Sequence, residues 1–268
     1  MNQTPQTSAS PSDLFRPLQS SNLSVVVPVF NEAENIVKNL DFLISEVEPY
    51  FLNYEILVVN DGSTDATTQV LQGFSRPKVR IINIPQNRGK GNAVREGFRQ
   101  ASGDYILFID GGMELHPREI RVFLVLMALY NADVVLGSKR HPQSKVDYPA
   151  LRRFLSLIYQ KLVKRLFGLD VTDTQVGIKL FRREVIQAIL PSLRIDRYGF
   201  DLEILALAKN KGFDVFLEAP IQLDYFNFNS RSAPREFLHI LKVGFTVLQD
   251  TFRLYRRLDQ ENSREKDA

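Results

Sequence analysis

Short runs of β-branched and aliphatic residues alternate with helix-periodic segments through the first half of this chain. LSVVVPV (23–29), YEILVVN (54–60), VRIINI (79–84), YILFID (105–110) and DVVLG (133–137) each have the length of a strand. Between them, 32–48, 65–74, 90–101 and 117–130 place apolar residues at helical intervals. Strands that are apolar almost throughout need cover on both faces. Separated by helices, they imply an α/β fold, a mostly parallel sheet flanked by helices. In that architecture ligands bind beyond the carboxyl ends of the strands.

Polar residues gather at those strand ends. The first strand runs into Asn31 and Glu32, the second into NDGSTD, the third into PQNRGKG and the fourth into DGGMELHP. Each cluster alone is explained by turns and helix caps; Ser63 or Thr64, for instance, suits a cap. Four clusters on one rim point instead to a binding site. In the fourth, Asp110, Gly112 and Glu114 stand at i, i+2 and i+4, so in an extended segment they face one way. Two carboxylates so placed suit Mg2+ or Mn2+, which take oxygen ligands and complete their shells with substrate phosphates. The competing reading is a strand-ending Asp110, a glycine turn, and Glu114 placing negative charge ahead of a helix near Pro117. His116 beside this cluster reads as a loop residue.

In the second half, 151–168 spaces Leu151, Leu155, Ile158, Leu162 and Leu166 as a helix. Basic residues crowd positions 139–165, with Asp147 the single acid, a positive surface suited to phosphate or anionic lipid or simply solvated helix faces. A final helix is expected over about 235–258. Phe237, Leu241, Phe245, Leu248, Phe252 and Tyr255 form its apolar stripe, and Lys242, Gln249, Arg253 and Arg256 line another face. That pattern fits a helix at a membrane surface and equally a core-packing or dimer helix. The Ser-, Pro- and Gln-rich residues 1–22 read as a disordered tail, 23–230 as the α/β domain, and 231–268 as the amphipathic helix with a polar tail.

Composition narrows the function. Lys and Arg exceed Asp and Glu only by 34 to 31, which does not announce a nucleic-acid binder. The absence of cysteine removes disulfides and thiolate metal sites and makes a reducing compartment natural. No run approaches the roughly 20 apolar residues of a membrane span. His116, His141 and His239 are dispersed, and no G-x-S-x-G, Walker or G-x-G-x-x-G motif follows a strand.

VVVPVFNEAENI, ILVVNDGSTDAT, NRGKGNAVREGFRQASGDYILFID and DTQVGIKLF, in that order, resemble the inverting family 2 glycosyltransferases of GT-A fold over roughly residues 23–225. Within that group the chain is most similar to the polyprenyl-phosphate mannosyl- and glucosyltransferases. The resemblance implies that Pro28, Phe30 and Glu32 hold the nucleotide, that Val59 and Asp61 contact the base, and that Asp110 leads an Asp-x-Asp metal motif. Glu114 falls where such enzymes carry a further metal-facing residue. Here the motif reads Asp110-Gly111-Gly112, so its second carboxylate is missing. DTQVGIKLF is expected to close the site, with Asp173 and Gln175 near acceptor or sugar and Lys179 near phosphate. Arg197 and Asp201 lie in a segment the family shares.

A phosphate monoester is largely ionised near neutral pH, so as acceptor it needs cationic positioning rather than a strong base. Lys139 and Arg140, past the fifth strand, are candidate phosphate-binding cations, and the spacing of Arg152 and Ser156 resembles the family's acceptor-phosphate motif. The implied reaction is inverting transfer of mannose or glucose from GDP-mannose or UDP-glucose to a polyprenyl phosphate at the cytoplasmic membrane face, with Mg2+ or Mn2+ and a possible membrane-protein partner. Two alternatives stay open: a nucleotide-sugar-binding relative that turns over poorly or not at all, and a glycosyltransferase with another acceptor.

Overall fold

The computed structural model describes residues 21–146, 150–222 and 233–267, with side chains throughout except at 150–154, 233–242 and 265–267. A seven-stranded sheet, in the order β3-β2-β1-β4-β6-β5-β7, forms its centre. The strands are β1 (Asn22–Val29), β2 (Asn53–Asp61), β3 (Val79–Ile84), β4 (Tyr105–Ile109), β5 (Val134–Ser138), β6 (Ile178–Arg182) and β7 (Phe216–Pro220). Eight α-helices are seen among the described residues: α1 (Ile36–Val47), α2 (Thr67–Gly73), α3 (Lys90–Gln100), α4 (Ile120–Tyr130), α5 (Ala150–Phe167), α6 (Arg183–Ile189), α7 (Phe200–Asn210) and α8 (Ala233–Asp267).

The sheet is mostly parallel, as expected. β1 pairs in parallel with β2 and β4, β2 with β3, and β5 with β7, while β6 runs antiparallel between β4 and β5. From β1 the chain builds outward to β2 and β3 on one side, then crosses to β4 on the other. The crevice between the ends of β1 and β4 is therefore a topological switch point.

The core follows from the apolar strands. Val25, Val26, Val27, Ile56, Leu57, Val58, Leu107 and Phe108 have no more than trace exposure, and each such side chain contributes about 1.5–3 kcal/mol of burial. α1 seals one face through Ile36, Leu40, Leu43 and Val47, the spacing of an amphipathic helix. The final helix is longer than its apolar stripe predicts, reaching Asp267. It packs on α5 and α7 through Thr251, Leu254 and Leu258, and the Tyr159 and Thr251 hydroxyls meet at 2.9 Å. Residues 1–20, the bulk of the expected tail, and 223–232, where domain and terminal helix were expected to meet, lie outside the described residues.

Candidate active site

The exits of β1 and β2 are laced together. Asn31, held at φ 56°, accepts from Thr64 N at 2.8 Å, and its own N–H donates to Ser63 Oγ at 3.0 Å. Thr67 Oγ1 accepts from Glu32 N at 2.8 Å, while Asp65 accepts from Thr67 N at 2.9 Å. Burial opposes ionisation of Asp65, but its bonds from Thr67 and Ala33 hold the carboxyl below its ordinary value. The NDGSTD cluster thus fixes the β1 exit as well as opening α2.

Asp61 is buried and spends its carboxylate on backbone: Arg88 N and Gly89 N donate to it at 3.1 and 2.7 Å. This clamps the loop after β3 onto β2. Pro28 and Val59 are buried and paired in register, whereas Phe30 stands 43% exposed at the rim. Glu32 is half-buried. Burial, then the charges of Glu114, Asp65 and Asp110, push its carboxyl above the ordinary range.

At the end of β4 the chain does not stay extended. β4 stops at Ile109, Met113 N returns to Asp110 O at 3.0 Å, and Met113 is left-handed at φ 49°. The i, i+2, i+4 argument therefore fails for residues 110–114, because a turn replaces the strand. Glu114 is exposed, yet it remains close enough to raise both Glu32 and Lys90. Gly111 is demanded by packing: a Cβ there would lie 2.7 Å from the Pro28 carbonyl. Gly112 is not, since a Cβ would meet only Glu32 Oε1, at 3.4 Å.

Asp110 faces a cation that the sequence reading did not single out. Lys90 Nζ lies 2.5 Å from Asp110 Oδ1, a close ion pair at the end of β4. Burial disfavours the Lys90 ammonium, but Asp110, Asp201 and Glu114 raise its pKa overall. Lys90 also sits over the rings of Phe108 and Phe200, 5.2 and 5.7 Å from their centroids. Its sequence signal is its place at the first position of α3. A cation there opposes the helix dipole, which marks it as held for another reason.

Behind Lys90 lies a second ion pair. Lys179, fully buried on β6, donates to Val176 O at 2.5 Å and to Asp201 in the first turn of α7. Burial raises the Asp201 carboxyl; Lys179 and Lys90 pull it back, and Asp110 adds to the rise. Lys179 thus lies beneath the crevice rather than in it.

The loop before β6 crosses Asp110 directly, with Asp110 N donating to Gly177 O at 3.0 Å. Gly177 is tight against the Asp110 carboxylate, so a side chain there would displace it. Gln175 Nε2 is buried without a hydrogen-bond partner among the described residues. Asp173 accepts from Gln175 N at 3.1 Å and Lys139 N at 3.4 Å, ordering this loop against the end of β5. Arg140 bridges Gln160 on α5 and Thr172 O. Ser156 is half-buried on α5; Arg152 lies on the same helix, with its side chain outside the described residues. Arg197 is exposed beside Gly89, and His116 Nδ1 accepts from Arg118 N, ring edge against Phe42.

Among the described residues no three carboxylates or imidazoles converge as a ready metal cage. Asp110, whose Oδ1 is met by Lys90 Nζ, and the exposed Glu114 near the same rim still offer carboxylate oxygens of the kind at which Mg2+ or Mn2+ relies on substrate phosphates.

Sheet order, the β1/β4 crevice and its acidic rim define an α/β ligand-binding fold of the GT-A kind. The model of glycosyl transferase family 2 matches residues 24–190, and the chain belongs to that family. Among curated relatives, the dolichyl-phosphate beta-glucosyltransferase of Drosophila melanogaster is 36% identical over 71% of this chain and 64% of its own length. Dolichyl-phosphate beta-glucosyltransferase ALG5C of Trichomonas vaginalis is 32% identical over 80% of this chain and 65% of its own. The chain therefore spans about 65% of the length of these relatives. A solved structure of glucosyl-3-phosphoglycerate synthase from Mycobacterium tuberculosis, in complex with Mn2+, UDP and phosphoglyceric acid, superposes with a TM-score of 0.67. It covers 91% of this chain and 82% of that one at 21% identity, a likeness of fold.

Proposed function

We propose that this chain transfers glucose from UDP-glucose to a polyprenyl phosphate, with inversion at the anomeric carbon. The observation that carries the reading is the Lys90–Asp110 pair at the β1/β4 switch point, in a chain about one-third identical to dolichyl-phosphate beta-glucosyltransferases. The sugar in their names and the UDP of the fold neighbour favour UDP-glucose over GDP-mannose.

Phe30, exposed at the rim, offers a face for the base, and Pro28 and Val59 support it from the sheet. Lys90 stands where a diphosphate would approach Asp110 and neutralises charge on the leaving group as it develops. Asp110 and Glu114 are the residues that would hold Mg2+ or Mn2+, which supplies Lewis-acid neutralisation of the diphosphate when bound. The acceptor monoester is already ionised, so the chain provides cationic positioning from Lys139, Arg140 and Arg152 instead of a strong base. Gln175, with its unpartnered Nε2, offers a donor to sugar or acceptor oxygens. Asp173 orders this side of the site, and Ser156, on the same helix as Arg152, would meet the acceptor.

No helix among the described residues is long and apolar enough to cross a membrane. α8 leaves Phe245 63% and Phe252 47% exposed beside Arg253 and Arg256. This face supports peripheral attachment to a membrane surface carrying the lipid acceptor, a surface that the proposal sets on the cytoplasmic side.

The test is transfer of radiolabelled glucose or mannose to extractable polyprenyl phosphate, with and without Mn2+. Glucose should appear in the lipid phase. If UDP-glucose binds but no label moves, the missing carboxylate at Gly112 makes the second reading stand: a donor-binding relative without turnover. Absence of both binding and transfer refutes both.

A further inference from the structure

Five arginines surround a cleft of about 660 Å3 beside the donor crevice: Arg88, Arg194, Arg197, Arg253 and Arg257. They come from three parts of the fold: the loop after β3, the loop before α7, and α8. Two carboxylates share the cleft, and both are engaged. Asp196 pairs with Arg95 at 2.6 Å, and Asp250 faces Arg253 at 3.8 Å. Arg257 reaches Glu203 at 2.7 Å and keeps a buried Nε without a hydrogen-bond partner. Arg88, Arg194 and Arg197 have no side-chain partner among the described residues. Three positive charges without an acidic partner among the described residues therefore line one concave surface.

The backbone that presents them is held in place. Arg194 N and Ile195 N donate to the fully buried Glu203 carboxylate at 3.0 and 2.8 Å. Asp196 O accepts from Asn92 N at 3.2 Å on α3. Gly89, at φ 112°, separates Arg88 from Lys90, so that one cation lines the cleft while the other meets Asp110. The two surfaces share this turn as a wall but take their charges from different residues.

We propose that this cleft is a second anion site, which binds a phosphate group. Guanidinium forks match tetrahedral phosphate oxygens in bidentate fashion. A carboxylate carries one negative charge, whereas a phosphate monoester carries about 1.5 to 2 near neutral pH and better meets three arginines. The cleft lies against the half of α8 that exposes Phe252 and Tyr255, so a lipid headgroup and a soluble phosphate compound both have access.

Calorimetric titration of the full chain with inorganic pyrophosphate tests this. Arg194→Gln/Arg197→Gln removes two exposed, unpartnered guanidiniums, and an unchanged melting curve confirms its fold. Lys90→Gln marks any pyrophosphate bound at Asp110 instead. Pyrophosphate affinity should fall about tenfold or more in the double variant and by less than about twofold in Lys90→Gln. Sedimentation with phosphatidylcholine vesicles, with or without phosphatidate, separates the sources. If the double variant also loses phosphatidate-dependent sedimentation, the ligand is a headgroup; if it loses pyrophosphate binding alone, the ligand is soluble. Wild-type affinity in the double variant, or no pyrophosphate binding by the wild type, overturns the proposal. A UDP-glucose titration run alongside reports on the transferase reading independently.

Discussion

Replacing Lys179 by Met tests how the floor of the crevice is held. Methionine keeps the length and apolar stem of the lysine but removes the charge that faces Asp201. Lys179 has no exposed surface and the Asp201 side chain is 6% exposed, so the surviving carboxylate would stay desolvated. Removing one member of a buried ion pair costs about 3–5 kcal/mol. The lower end, about 3 kcal/mol, applies here because Lys90 also attracts Asp201 and because Asp201 can accept a proton. For a chain of this size that is a fall in Tm of roughly 6–12 °C. The deficit should shrink as pH falls, since protonation of the raised Asp201 carboxyl removes the stranded charge. Lys179→Met/Asp201→Leu should recover to within about 1 kcal/mol of the wild type, giving a clear coupling energy in the double-mutant cycle. Urea unfolding with matched m-values is the assay. A single-variant loss below about 1 kcal/mol, or a double variant as unstable as the summed singles, would refute the reasoning.

Three further outcomes follow from neighbouring residues. Gly112→Asp fits sterically, but its carboxylate faces Glu32, a repulsion of up to about 3–4 kcal/mol near 4–5 Å; the variant should melt lower than the wild type without metal and gain more Tm from Mn2+, and equal Mn2+ shifts would count against it. Lys90→Gln should lower glucosyl transfer by about 100-fold and steepen its dependence on Mn2+, measured as kcat/KM against metal concentration. Glu46, almost buried, is opposed by burial but held below its ordinary pKa of 4.5 by Arg121 at 2.7 Å and Arg118 at 3.2 Å. Its stabilisation is present above 4.5 and is lost as pH falls through the lower folded value, so Glu46→Gln should cost about 1–2 kcal/mol at neutral pH and nothing in strong acid, as followed by melts across pH.

The five apolar strands of the first half could be read directly, because burial on both faces leaves unbroken apolar runs at 25–29 in β1, 56–59 in β2 and 106–109 in β4. β6 and β7 escaped for the opposite reason. IKLFR carries two cations and FLEAP a glutamate, and only partners distant in sequence reveal them as strand residues: Asp201 for Lys179, Asp133 for Arg182, and Thr172 for Glu218. The rim suffered the same ambiguity. Asp61 closes β2 and Asp173 stands in the expected loop, but their carboxylates order backbone, the use that turn chemistry offers any Asp. Lys90 lay within NRGKG, one polar cluster among four, and its meaning depends on how closely α3 approaches the end of β4.

Lys90 also explains how a crevice with one motif carboxylate can work. Lys179, Asp201, Lys90 and Asp110 form a chain of alternating charge from the core to the rim, so Lys90 is shared by two acids. Asp110 is thereby neutralised by a residue of the fold, and the remaining negative charge belongs to Glu32 and Glu114 at the entrance. Burial raises the Glu32 carboxyl first, and the charges of Glu114, Asp65 and Asp110 add to the rise. A second carboxylate at position 112 would add to that negative charge, even though the space beside Glu32 admits one. On the proposed metal-assisted reading, the glycine would trade cation affinity for a rim that carries less charge. Drawing Lys90 off Asp110 and onto an incoming diphosphate would leave Asp110 free to take a cation, so donor and metal would bind more tightly together than apart.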